Sequence, residues 1–260
     1  MDNVNKTLYI PLYGKAYVSR QGRILRDEKA EEIWAAEGFP LKGKAKSKWL
    51  AYNMGMRSAV FDRWTEQKLL EHPEAVVLHV GCGLDSRCIR VNTHGQLWFD
   101  IDFPEVIAER KRYFTESEAY CMIGSDIREE AWLSLVPAGK TAIIVMEGIS
   151  MYLQWPELQA VLKRWKEHFG EVRILMDSYT VFAAKATKYK NPINEVGVTE
   201  VSGFDDPKAL EAGTGLVFAQ EHSLTPDWLI AQLPKGEQGF FRTMFAGKMA
   251  KKIYRLYEYR

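Results

Sequence analysis

The chain has 260 residues, 47% of them hydrophobic, enough to fill the core of one substantial α/β domain with an attachment. Its 35 basic and 34 acidic residues leave a net charge of +1. No basic block is dense enough to predict nucleic acid or an anionic membrane as partner, so small molecules are the expected ligands. The three cysteines, Cys82, Cys88 and Cys121, form no Cys-x-x-Cys pair, which argues against a disulfide framework or a thiolate metal site and fits the cytoplasm.

The N-terminal stretch carries Asp2 and Lys6 and no long apolar run, so neither a signal peptide nor a membrane span is expected. Residues 1–75 read as a helical extension, with helix formers from Ile24 to Ala36 and from Ala45 to Leu70, separated by Gly38-Phe39-Pro40. In the second segment Trp49, Met56, Val60 and Leu69 recur at roughly helical spacing and should pack on the main domain. Arg57 and Asp62 share that helix; pattern alone makes them solvated charges, like Lys15 and Arg20 before them.

The main domain, residues 76–260, opens with a short apolar strand, Val76 to Val80, that runs into Gly81-Cys82-Gly83, a turn with a bare backbone. A second strand, Leu97-Trp98-Phe99, ends in Asp100 and Asp102, about 20 residues after Gly81, the spacing at which an acid meets a ribose. Phe103-Pro104-Glu105 starts a helix reaching about Phe114, and Ala119 to Ile123 is a third strand followed by Asp126. Arg128-Glu129-Glu130 should begin another helix. Thr141 to Met146 fits a buried central strand ending at Glu147-Gly148. Trp155-Pro156-Glu157 opens a helix stopped by Gly170, and Val172 to Met176 is a fifth strand ending in Asp177. Residues 178–213 break the alternation and read as an insertion over the site. Leu216 to Ala219 and Lys252 to Tyr259 are further strands, with a short helix from Pro226 to Leu233.

This alternation predicts a doubly wound, mostly parallel sheet whose ligands bind at the carboxyl ends of its strands. Gly81 and Gly83, Asp100 and Asp102, Asp126 and Glu147 would all fall at that rim. Such a row of acceptors suits a ligand offering hydroxyl and amine donors. A dinucleotide suits it less, since Ser86 stands where the third glycine would be and the acids repel a pyrophosphate.

Three blocks, Val80-Gly81-Cys82-Gly83-Leu84-Asp85-Ser86-Arg87, Trp98 to Val106 (WFDIDFPEV) and Glu147-Gly148-Ile149-Ser150-Met151-Tyr152-Leu153, resemble the signatures of the leucine carboxyl methyltransferase family. Arg57 with Asp62 resembles a fourth motif of that family. The resemblance implies a Rossmann-like, class I methyltransferase fold with a seven-stranded sheet, binding S-adenosyl-L-methionine. It implies that Arg57 pairs with the methionine carboxylate, that Gly81 and Gly83 admit the cofactor, and that Glu147 lies near its amino-acid end. Asp102, with Asp100 as the alternative, would accept from the ribose. Asp126 would accept from the adenine amine beside Ile127, and Asp62 would orient a neighbour. It also implies O-methylation of a carboxylate or hydroxyl on a small, polyketide-like acceptor. A protein carboxyl methyltransferase, an NAD-dependent oxidoreductase and a non-catalytic cofactor-binding regulator are the alternatives. A hydroxyl acceptor needs deprotonation, for which Tyr152, Tyr179 and His222 are the candidates. His79 and Cys82 read as packed residues, and Asp85 with Arg87 as an ion pair shaping the turn.

Overall fold

A computed structural model describes residues 5–187 and 201–260. Runs of β-branched residues form the centre of the sheet: β1 (Val76–Val80) and β4 (Ala142–Met146) are buried along their whole length because helices cover both faces. With β2 (Trp98–Asp102), β3 (Tyr120–Gly124), β5 (Val172–Tyr179), β6 (Phe218–His222) and β7 (Tyr254–Tyr259) they make a seven-stranded sheet in the order β3-β2-β1-β4-β5-β7-β6. The first five strands are parallel, and β7 runs antiparallel to both β5 and β6. The strand order reverses between β1 and β4, which opens a crevice at their carboxyl ends.

One core layer packs α6 (Trp155–Phe169) on the sheet through Leu162, Trp165 and Phe169. A reciprocal box between Gln154 and Glu157 starts α6, and Gly170 ends it. The opposite layer is α3 (Lys48–Glu71), which buries Met56, Phe61 and Trp64 together with Phe241 of α9 (Lys235–Phe245). Of its expected packing residues, Met56, Val60 and Leu69 are buried and Trp49 is half-buried.

Several elements differ from expectation. The helix α1 (Tyr9–Arg20) was not legible, since Gly14 and its aromatic and β-branched residues are poor helix formers. Packing forms it. A Cβ at Gly14 would lie 2.6 Å from Met54 Cβ, and one at Gly55 would lie 2.7 Å from Val18 Cγ2, so two glycines let α1 and α3 cross closely. The chain from Arg128 makes only a 3-10 turn at Ala131–Leu135, and α9 was not anticipated. The helix α5 spans Pro104–Arg110, ending earlier than Phe114. β5 continues to Tyr179, which places Asp177 inside the strand. Of the expected insertion, α7 (Val181–Ala186) and the turn at Pro207–Leu210 are formed, and residues 188–200 lie outside the described residues.

Gly14→Val should therefore destabilise the fold by about 1–3 kcal/mol through overpacking, read as a lower urea midpoint at unchanged slope.

Candidate functional site

A cavity of about 930 Å³ opens at the carboxyl rim of the sheet. Gly81 and Gly83 after β1, Asp102 on β2, Asp126 and Ile127 after β3, Glu147 after β4 and Arg57 of α3 all line it. Gly81 and Gly83 have φ of +64° and +51°, and a Cβ at Gly81 would lie 2.0 Å from Ile149 Cδ1, so the turn is restricted to glycine there.

Two backbone amides fix the carboxylate of Asp102. Gly83 N–H donates to Oδ2 and Phe103 N–H to Oδ1, both at 2.8 Å. Burial pushes this carboxyl up to about 6 against those donors. Asp126 is more exposed and is held below its ordinary value by the side chain of Arg128, which grips both its oxygens.

Asp100, the alternative ribose acceptor, does not reach the cavity. Its side chain points into the interior, fully buried, and accepts from Arg110, Trp98 Nε1 (2.8 Å) and Tyr120 Oη (2.6 Å). Burial would raise this carboxyl, but Arg110 outweighs it and holds it at about 2. His79 sits between Asp100 Oδ1 and Arg87 Nη1, each at 3.0 Å, and burial lowers its pKa, so the ring is neutral and structural. Alternation does not separate the two acids, which share a face of β2; Asp100 is held by its interior partners, and Asp102 stands at the strand tip on the cavity.

Arg57 is buried, contrary to the pattern-based reading of a solvated charge. Its Nε donates to Glu147 Oε1 at 2.9 Å, and its Nη1 donates to Asp177 Oδ2 at 3.2 Å and Tyr254 Oη at 2.9 Å. Among the described residues its Nη2 has no hydrogen-bond partner, and bare Gly148 faces it. The other oxygen of Glu147 accepts from Arg87 Nη2 at 2.5 Å. Burial would raise Glu147, yet Arg57 and Arg87 hold it below its ordinary value. Asp62 orients its neighbours as expected, accepting from Arg87 Nε and Arg90 Nε. Lys15, read as a surface charge, is 3% exposed and donates to Asp85 at 2.7 Å. Asp85 in turn accepts from the Arg87 backbone N–H, so it shapes the turn. Cys82 is buried with its thiol pushed up, a space-filler.

Tyr152, Tyr179 and His222 also line the cavity. His222 Nε2 is tied to Glu258 Oε2 at 2.6 Å. Two residues of the polar cluster were missed, Asp177 and Tyr254. Asp177 was visible as an acid closing an apolar run. Tyr254 was not, because the antiparallel pairing of Tyr179 with Tyr254 leaves no trace in local sequence. Among the described residues no group of three His, Cys, Asp or Glu side chains could hold a metal ion, and no helix is long and apolar enough to cross a membrane.

Residues 9–166 match the model of the leucine carboxyl methyltransferase family. The chain belongs to that family. It is 31% identical over 227 residues to the tetracenomycin polyketide synthesis O-methyltransferase TcmP of Streptomyces glaucescens, covering 86% of this chain and 84% of that protein. It is 26% identical over 234 residues to the S-adenosyl-L-methionine-dependent methyltransferase dpfgK of Gibberella zeae, covering 81% and 78%. In fold it is similar to the magnesium protoporphyrin IX methyltransferase of Synechocystis, with a TM-score of 0.53, 11% identity and coverage of 89% and 92%. As a member of the leucine carboxyl methyltransferase family, the chain is an S-adenosyl-L-methionine-dependent methyltransferase with a class I α/β fold.

Arg110→Met strands the buried charge of Asp100 and should cost about 3–5 kcal/mol in urea unfolding. Asp100 is held below its ordinary value, so its stabilisation is present above about pH 4 and is lost as pH falls toward 2. The variant should lack that part of the acid dependence.

Proposed function

We propose that this methyltransferase transfers a methyl group to an oxygen of a small, largely apolar, polyketide-like acceptor. The observation that carries this is one cavity with two unlike kinds of lining. The rim formed by Gly81, Gly83, Asp102, Asp126 and Glu147 is polar and acidic, whereas Leu50, Met54, Phe182, Met244, Phe245 and Ile253 line an apolar chamber. A rim of acceptors fits a nucleoside, and an apolar chamber fits a hydrophobic ring system. The relative named for polyketide O-methylation supports the same acceptor class.

At the rim, the two oxygens of Asp102 keep lone pairs for ribose hydroxyls while the backbone amides hold them still. Asp126 would accept from the adenine amine, with Ile127 beside the base; both line the cavity. The unpartnered edge of Arg57 would hold the methionine carboxylate, and Glu147, bonded to Arg57, would lie near the same end. The cofactor supplies an electrophilic methyl group on a sulfonium. What remains for the chain is to align the acceptor oxygen and exclude water, for which covalent catalysis is unnecessary. The buried acids suit a cationic sulfonium and repel the pyrophosphate of NAD. Ser86, at the third-glycine position, is buried and donates to Asp27 at 2.5 Å, facing away from any phosphate.

Calorimetry should show binding of S-adenosylhomocysteine and none of NAD; the reverse would overturn the assignment. Asp102→Ala and Arg57→Ala should each weaken that binding by about 1–3 kcal/mol. The ionised form of Asp102 is the better ribose acceptor, so affinity should hold above pH 6 and weaken as pH falls through it. Asp102→Asn should remove that share of the pH dependence. Methyl transfer from labelled cofactor to aromatic acceptors separates an enzyme from a silent binder.

A further inference from the structure

Arg57 and Tyr254 line the cavity, and both bond Asp177, which lies buried behind them. Asp177 is fully buried on β5, with Oδ1 accepting from the Gly148 N–H at 2.7 Å and Oδ2 accepting from Tyr254 Oη at 2.7 Å. Arg57 Nη1 also donates to Tyr254 Oη, which steadies negative charge developing on that oxygen. Tyr254 and its edge-on neighbour Tyr179, 5.0 Å between ring centroids, line the cavity.

We propose that Tyr254 and Asp177 form a proton relay that deprotonates a phenolic hydroxyl of the acceptor, an assignment resting on the O-methyl transfer proposed above. The acceptor hydroxyl donates its proton to Tyr254 Oη while the proton of Tyr254 passes to Asp177 Oδ2. As the acceptor O–H bond breaks, an electron pair of that oxygen forms the new O–CH3 bond. The electron pair of the broken C–S bond stays on sulfur. Tyr254 ends unchanged and Asp177 ends neutral, releasing one proton to water after the product leaves.

The other candidates are worse placed. The register His222 to Leu256 to Asp177 puts His222 two strands away, with buried Leu256 between and its ring tied to Glu258. Among the described residues, Tyr254 is the one of the three cavity tyrosines whose hydroxyl donates to a carboxylate. A carboxylate acceptor is already ionised and has no proton to give, so this pair acts only on a hydroxyl acceptor.

The test uses the full chain with 1-naphthol and 1-naphthoic acid, two acceptors of one shape, and labelled S-adenosylmethionine between pH 5 and 9. Asp177 faces Arg57 from α3, Glu147 just after β4, Tyr152 in the turn that follows, Tyr254 from β7 and Tyr179 on its own strand, and burial pushes its carboxyl up to about 6. The wild-type naphthol rate should therefore rise through pH 6 and level off. Tyr254→Phe should lower the naphthol rate on the order of 100-fold, at least about tenfold more than the naphthoate rate. Its residual rate should climb steadily with pH, and Asp177→Asn should lose the same pH 6 limb. S-adenosylhomocysteine binding, measured by calorimetry, reports that the cofactor site of each variant is formed. Equal losses on both acceptors, a retained pH 6 limb in Tyr254→Phe, or methylation of the naphthoate alone would overturn the relay and leave O-methyl transfer standing. Transfer to neither acceptor with the thioether bound would overturn the relay and the aromatic acceptor class together.

Discussion

Two arginines from different parts of the chain share one buried carboxylate: Arg57 of α3 takes one oxygen of Glu147 and Arg87, just past the glycine turn, takes the other. Neither pair would be stable alone, since removing one partner leaves an uncompensated charge in the interior. The set closes on itself instead. Arg87 also engages Asp62 and His79, Arg90 engages Asp62, Asp85 and Asp27, and Lys15 engages Asp85. Asp27 additionally caps α2 (Glu28–Glu37) through the Ala30 N–H at 2.8 Å. The network thereby fixes α1, α2, α3, the turn after β1 and the tip of β4 in one arrangement, and the glycine turn inherits its shape from it.

The same network accounts for the sign of the cavity. Arg87 and Arg90 are spent on interior acids, so among these arginines it is the unpartnered Nη2 of Arg57 that is left for a ligand, beside the carboxylate oxygens and backbone of the rim. Burial pushes the carboxyls of Asp102 and Asp177 up to about 6, offset only in part by the Gly83 and Phe103 amides at Asp102 and by the Arg57 guanidinium at Asp177. Carboxyls poised close to neutrality can accept hydrogen bonds from a ligand or hold a transferred proton.

Legibility in the sequence followed the range of each interaction. Strands β1 to β5 and the rim acids could be read because apolar runs ending in a glycine or an acid are local features. The helix α1 could not, since its stability comes from the close crossing of Gly14 and Gly55 against α3. Arg57 and Lys15 looked like surface charges because their partners Glu147 and Asp85 are 90 and 70 positions away. Asp100 and Asp102 were indistinguishable by spacing, and only the packing of Arg110, Trp98 and Tyr120 sends Asp100 inward. Tyr254 enters the cluster through an antiparallel strand pairing, a relation that no short motif encodes.

That reversed strand also sets the orientation of the chain's last residues. β7 begins beside Tyr179 and travels away from the opening, so Arg260, paired with Val217 through two backbone hydrogen bonds, emerges at the opposite end of the strands. Thr7 and Leu8, by contrast, stand in the cavity wall. A fusion partner or surface anchor joined after Arg260 leaves the mouth of the cavity free, whereas the same cargo attached just ahead of Tyr9 crowds the entrance.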